Sequence, residues 1–327
     1  MRLSVLDLSP IPSGAGAREA LENTLDLARH AESLGYVRYW LAEHHNAGGL
    51  ASSAPEIVIG QVARATTRIR VGSGGMMLPN HATLKVAELF RVLSAFFPGR
   101  IDLGVGRAPG TDARTARALR RGAPEVEFGA MVDELAAYLN ERGGPRGPFP
   151  TTTIAIPTGV EAPPIFVLGS SDGGVAVASA RGLPFAFAHH INPADAVAVM
   201  RRYHDELRPG ATPYSILAVA VVTAETEEAL LPLARAADLA GVRFAQGLRD
   251  AGMPSEREAL DYVLDDDERA LRDAMRGRWF IGTIDRVASD LRALAHDACA
   301  DELMIMCNMH DHEKRKDAYR LLARALA

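Results

Sequence analysis

A chain of 327 residues with a net charge of −5, 48% hydrophobic and 24% charged, reads as a globular protein of one large domain or two ordinary ones. The acidic balance argues against a nucleic-acid surface, which needs a basic face, and two cysteines, Cys299 and Cys307, exclude a disulfide framework and point to a reducing compartment. No apolar run is long enough for a bilayer and Asp7 interrupts the apolar core a signal peptide needs, so the expected location is the cytoplasm, away from membranes.

Residues 3–8 read as a buried strand, closed by Ser9-Pro10-Ile11-Pro12. Leu21, Leu25, Ala28 and Ala31 give the following helix one apolar face, and Gly35 stops it. A second strand, 37–41, delivers Glu43-His44-His45 into the loop Asn46-Ala47-Gly48-Gly49. Ser53-Ala54-Pro55-Glu56 has the form of a capping box with proline in the first turn of a helix. A third strand starts at Ile69 and runs into Gly74-Gly75; a helix over 83–95 and a fourth strand, 101–106, follow. Helical material fills about 112–140, interrupted near Gly122-Ala123-Pro124; its Arg114, Arg117, Arg120 and Arg121 read as a solvated face. Residues 141–164, rich in Gly, Pro and Thr, read as an inserted loop or ribbon.

Strands at 165–168, 184–188 and 216–222 alternate with further helices, the third strand apolar enough to be covered on both faces. A polar excursion over 249–278 precedes a helix at 284–295, a last strand at 303–306 and a last helix at 312–326. Eight strands alternating with eight helical segments, with no break in composition, favour a single α/β domain over 1–327: a (β/α)8 TIM barrel with insertions.

Such a barrel places function at the C-terminal ends of its strands. There lie Glu43-His44-His45, Gly74-Gly75, Arg107, the Ser170-Ser171-Asp172-Gly173-Gly174 loop and His189-His190. Glu43-His44-His45 has three readings: a metal site, an acid–base site or a hydrogen-bonded structural cluster. Metal-ligand spacing is missing, because the first strand ends Asp7-Leu8-Ser9 and no His-Glu-x-x-His occurs; His310-Asp311-His312 reads as a solvated helix cap. Gly104-Val105-Gly106 only approximates a dinucleotide fingerprint, and Pro109 sits badly in it. The Ser170–Gly174 loop opens a helix, where free amides favour an anion; Arg107 at the neighbouring strand end adds a guanidinium, and together they suit a phosphate monoester. Gly74-Gly75 is either a simple loop or a backbone brought close to a planar ligand.

Trp40-Leu41-Ala42-Glu43-His44-His45, Val71-Gly72-Ser73-Gly74-Gly75-Met76-Met77-Leu78-Pro79 and Gly99-Arg100-Ile101-Asp102-Leu103-Gly104-Val105-Gly106-Arg107 together resemble the bacterial luciferase-like flavin monooxygenases. Gly169-Ser170-Ser171, Gly182-Leu183-Pro184, Ala224-Glu225-Thr226-Glu227-Glu228 and Ala300-Asp301-Glu302-Leu303-Met304 keep the family order, so the likeness covers nearly the whole chain. It implies a barrel that takes reduced FMN from a separate NAD(P)H-dependent flavin reductase. Oxygen then forms a C4a-peroxyflavin that oxidises a small organic substrate. His44 corresponds to the family's active-site histidine and Glu43 to a residue orienting it, while His45 is left a structural part.

The resemblance puts Arg107 and Ser170, Ser171, Gly173 and Gly174 at the phosphate, and Gly74-Gly75 at a cis peptide beneath the flavin ring. With His189 at the sixth strand end, these form the expected cofactor-binding set, and no metal is expected. Luciferase itself has a cysteine where Gly106 stands, so light emission is not implied. The excursion at 249–278 matches a mobile lid over the site, and a homodimer is common among relatives. Met76, Met77 and Phe187 at the mouth suggest an aliphatic or aldehyde-like substrate. A deazaflavin (F420)-dependent hydride-transfer oxidoreductase and a non-catalytic flavin-binding protein are the alternatives.

Overall fold

The structure is a computed structural model that describes residues 1–120, 126–141 and 153–326. Its strands are β1 (Arg2–Asp7), β2 (Arg38–Leu41), β3 (Arg70–Met77), β4 (Ile101–Gly106), β5 (Ile165–Gly169), β6 (Phe185–Ala188), β7 (Ser215–Ala224), β8 (Trp279–Thr283) and β9 (Glu302–Met306). Each of β1 to β6 pairs in parallel with the next, β6 pairs with β7, β7 with β9, and β9 with β1. Eight strands therefore close a parallel barrel, with helices between them.

β8 is the strand that the sequence did not announce. Its five residues run straight into the helix Ile284–Asp297 with no turn signal between. It pairs only with Ala220–Ala224, the half of β7 that extends past the barrel wall. The helix after β2 also differs from expectation. It begins at Pro55, so Ala54 is the cap and makes no side-chain bond; Ser53 stands one residue too early to close a capping box. The interruption expected at Gly122-Ala123-Pro124 lies outside the described residues. So does most of the insertion expected over 141–164; its part from 153 leads into β5 without a helix or strand.

Strand periodicity sorts side chains to two sides. Leu3, Val5, Tyr39, Leu41, Leu303 and Ile305 face the helices, while Leu6, Trp40, Phe166, Ala218, Met304 and Met306 fill the barrel interior. Trp40 meets the edge of Phe166 with ring centroids 5.0 Å apart. Nearer the strands' N-terminal ends, below this layer, the interior turns polar. Arg38 bonds Asp102 at 2.7 Å, Glu302 at 2.8 Å and the Tyr214 hydroxyl at 3.0 Å, and Trp40 Nε1 donates to Asp102 at 3.1 Å. Both carboxylates are fully buried. Burial alone would lower the Arg38 pKa, but Glu302 and Asp102 outweigh it and raise it. This plug fills the barrel from below, beneath the layer on which a cavity at the other end rests.

Candidate active site

At the C-terminal ends of the strands lies a cavity of about 730 Å³, within the range of small-molecule and cofactor sites. Its floor is Leu6, Trp40, Ala218 and Met304, the top of the interior layer. Among the described residues no Asp or Glu lines it, whereas Arg107, Arg243, Arg249 and Arg278 do.

The end of β2 splits the acidic and basic residues predicted there. Glu43 turns away from the cavity and is fully buried behind its wall. Its carboxylate accepts from Met77 N at 2.8 Å, His45 Nε2 at 2.8 Å, His81 Nε2 at 2.9 Å and Asn80 Nδ2 at 3.3 Å. Burial opposes the charge, but these donors, His81 first, hold the Glu43 pKa at about 2. His81 gains correspondingly: burial lowers its pKa, the Glu43 bond and charge more than restore it, and the net shift is upward. Glu43 therefore anchors the end of β3 to the loop after β2. His81 was not singled out in the sequence, since nothing in its spacing marks it.

His44 does line the cavity. Its backbone is pinned by donation to Ser52 O at 2.9 Å, while its ring Nδ1 is buried with no hydrogen-bond partner among the described residues. Desolvation lowers its pKa against the pull of Glu43, so the ring is neutral at pH 7.

Gly74 and Gly75 are joined by a cis peptide at the point where the β3–β4 register shifts. A Cβ on Gly74 would stand 2.7 Å from Leu6 Cδ1 and 2.9 Å from Trp40 Cβ; one on Gly75 would stand 2.8 Å from Leu168 Cδ2. The crowding comes from the protein itself, so packing alone excludes larger residues here. Gly74 reaches the cavity wall and Gly75 does not. Met77 crosses Gly106, where a Cβ would lie 3.2 Å from its Cε. Met77 and Phe187 face the cavity as expected, but Met76 is wholly buried away from it.

Arg107 leaves the end of β4 and lies across the loop after β5. A Cβ on Gly173 would meet its Nη1 at 3.2 Å, and one on Gly174 would press to 3.0 Å from Phe185. Ser171 caps the helix Asp172–Arg181 with extended backbone and no side-chain bond, which leaves the leading amides without a side-chain acceptor. Asn192 steadies the loop by donating to Ser170 O at 2.9 Å. Among the described residues Arg107 has no carboxylate partner. Arg107, Ser170, Ser171, Gly173 and Gly174 thus meet on one stretch of wall.

His189 needs correction. It lies off the wall, its ring tilted 34° against Phe280 with centroids 5.2 Å apart, and the next residue takes the place expected for it. His190 is on the wall; its Nδ1 lies 3.3 Å from Ala218 O. A carbonyl only accepts, so Nδ1 carries the proton and Nε2 keeps its lone pair. Burial pushes the His190 pKa down to about 4. Adjacent histidines at a strand end must part company, and the sequence offered no sign of which would turn inward.

The segment opening the predicted lid is tied across the mouth. Gly49 N donates to Arg249 O at 3.0 Å, Met253 N to Ile11 O at 2.8 Å, and Ser13 N to Met253 O at 2.8 Å. A Cβ on Gly49 would come to 2.4 Å from Ala251 O, so the crossing requires glycine there. Beyond it, the helices Glu256–Asp261 and Asp266–Arg276 pack on the long helix Glu227–Ala245.

Metal-ligand geometry occurs, among the described residues, in Asp26, His312 and Glu313 on the outer helices. Lys316 Nζ already stands 2.9 Å from Asp26 and 2.7 Å from Glu313 and supplies the positive charge. No described helix is long and apolar enough to cross a membrane.

The family described as luciferase-like monooxygenase matches residues 1–302. The luciferase-like monooxygenase of Escherichia coli (strain K12) is 37% identical over 323 residues, covering 97% of this chain and 95% of the relative. The crystal structure of apo-MsnO8 is 34% identical with a TM-score of 0.90, covering 99% of this chain and 97% of that one. The oxygenating constituent of 3,6-diketocamphane monooxygenase from Pseudomonas putida, a type II Baeyer-Villiger monooxygenase solved in complex with FMN, shares the fold at 18% identity and a TM-score of 0.71, covering 100% and 98%.

Proposed function

The chain belongs to the luciferase-like monooxygenases, and on that footing we propose that its barrel mouth takes up reduced FMN and oxidises a small organic substrate with molecular oxygen. When bound, reduced FMN supplies the electrons that activate oxygen, a separate NAD(P)H-dependent reductase having reduced it beforehand.

The observation that carries this reading is the unpaired Arg107 guanidinium lying over Gly173 at the open start of a helix, on the rim of the cavity. A charged fork, a helix start with no side-chain cap and glycines that admit close approach are what a phosphate monoester needs. Arg107 and the loop from Ser170 to Gly174 would hold that phosphate. His44, on the cavity wall and with a pKa lowered by burial, is suited to accept a proton or hydrogen bond there. His190 presents Nε2 as a second acceptor. The apolar floor keeps water from the reacting groups. Glu43 acts one layer back, holding His45 and the end of β3, and touches neither cofactor nor substrate.

Binding of FMN and riboflavin to wild-type protein and to Arg107→Ala tests the assignment. The variant should bind FMN about 10- to 100-fold more weakly, the range of a lost charge-assisted contact, and riboflavin almost unchanged. Equal loss for both ligands would remove Arg107 from the phosphate, and uptake of F420 in preference to FMN would move the chain to the hydride-transfer alternative.

A further inference from the structure

The phosphate grip uses one of the four arginines on the cavity wall; the other three come from the long helix Glu227–Ala245, the strap and the start of β8. Arg243 is neutralised by Glu258 at 2.7 Å. Arg249 stands 4.0 Å from Asp112, whose carboxylate keeps its charge while accepting from Asn46, Thr115 and the Arg114 amide. Arg278, immediately before β8, has no carboxylate partner among the described residues, and it is only half-exposed. Arg278 is thus a cation on a wall that, among the described residues, holds no Asp or Glu, and nothing there answers its charge. Close to it in the chain, Met275 and Trp279 give the same wall apolar surface, and Phe244 and Leu248 line the cavity as well.

We propose that the substrate is an organic carboxylate with an apolar body, its carboxylate read by Arg278 and its body lying against Phe244, Leu248 and Trp279. This rests on the reading of the mouth as the catalytic site and replaces the aldehyde-like substrate expected from the sequence. Guanidinium forks match a carboxylate in shape as well as charge, whereas an aldehyde or alcohol of equal length uses only the apolar wall.

Calorimetric titration of octanoate and of octan-1-ol, each into apoprotein and FMN-loaded protein, tests it. Octanoate should bind about tenfold or more tightly than octan-1-ol. Arg278→Gln should erase most of that preference while leaving octan-1-ol and FMN affinities within about twofold. Equal affinity for the two ligands, or a preference that survives the substitution, would overturn the proposal. So would displacement of FMN by octanoate, which would place the anion on Arg107. The flavin reading fails separately: FMN that does not bind, with octanoate preference intact, removes the cofactor and leaves the carboxylate site standing.

Discussion

Replacing His44 with alanine is expected to slow substrate oxidation by about 10²- to 10⁴-fold, the usual contribution of a positioned acid–base group, while FMN still binds. His44 is on the cavity wall, and burial lowers its pKa against the pull of Glu43, which favours the neutral ring a base requires. The pH profile carries the sign. A base must be unprotonated, so activity falls on the acid side as His44 gains its proton, and that limb lies below the ordinary histidine value of 6.5. The limb should vanish in the variant. Unchanged turnover would take His44 out of the reaction. A matched loss in FMN affinity would make it a binding residue.

Arg38→Met carries the largest expected effect on stability, a loss of about 3–5 kcal/mol, the cost of breaking a buried ion pair from one side. Glu302 would keep the Tyr214 hydroxyl and Asp102 would keep Arg70, but both carboxylates are sealed from water and lose their shared counter-charge. A further change of Glu302 to Gln in that background should recover part of the loss, since it removes one stranded charge. The contrast is Arg257 with Asp261, 3.9 Å apart with both side chains exposed, where replacement by alanine should cost about 0–1 kcal/mol. Urea unfolding of the variants decides between these values, and an Arg38→Met loss no larger than that of Arg257→Ala would mean the plug bears no weight.

Eight strands and the closed barrel were legible because parallel strands covered on both faces leave continuous apolar runs, as at Ile216–Val222, bounded by helices with clear stripes. β8 was not, since its burial is partial and its pairing depends on the extra length of β7. Arg107 and the loop after β5 could be found because glycines, serines and a cation at neighbouring strand ends imply one another. Glu43 was found but misplaced, because which face of a terminal residue meets the cavity is set by donors such as His81, 38 residues away in sequence. The same ambiguity exchanged His189 for His190. Arg249 and Arg278 escaped notice in a polar stretch where arginines are ordinary; only the strap hydrogen bonds and the start of β8 bring them to the mouth.

The central claim is that this mouth holds reduced FMN and brings it to oxygen. The most direct measurement titrates the protein anaerobically with reduced FMN and, in parallel, with reduced F420, then admits oxygen and follows its uptake. The account predicts that reduced FMN binds and that the bound cofactor consumes oxygen at a rate altered by His44→Ala. Binding of F420 alone, with no oxygen uptake, would contradict it.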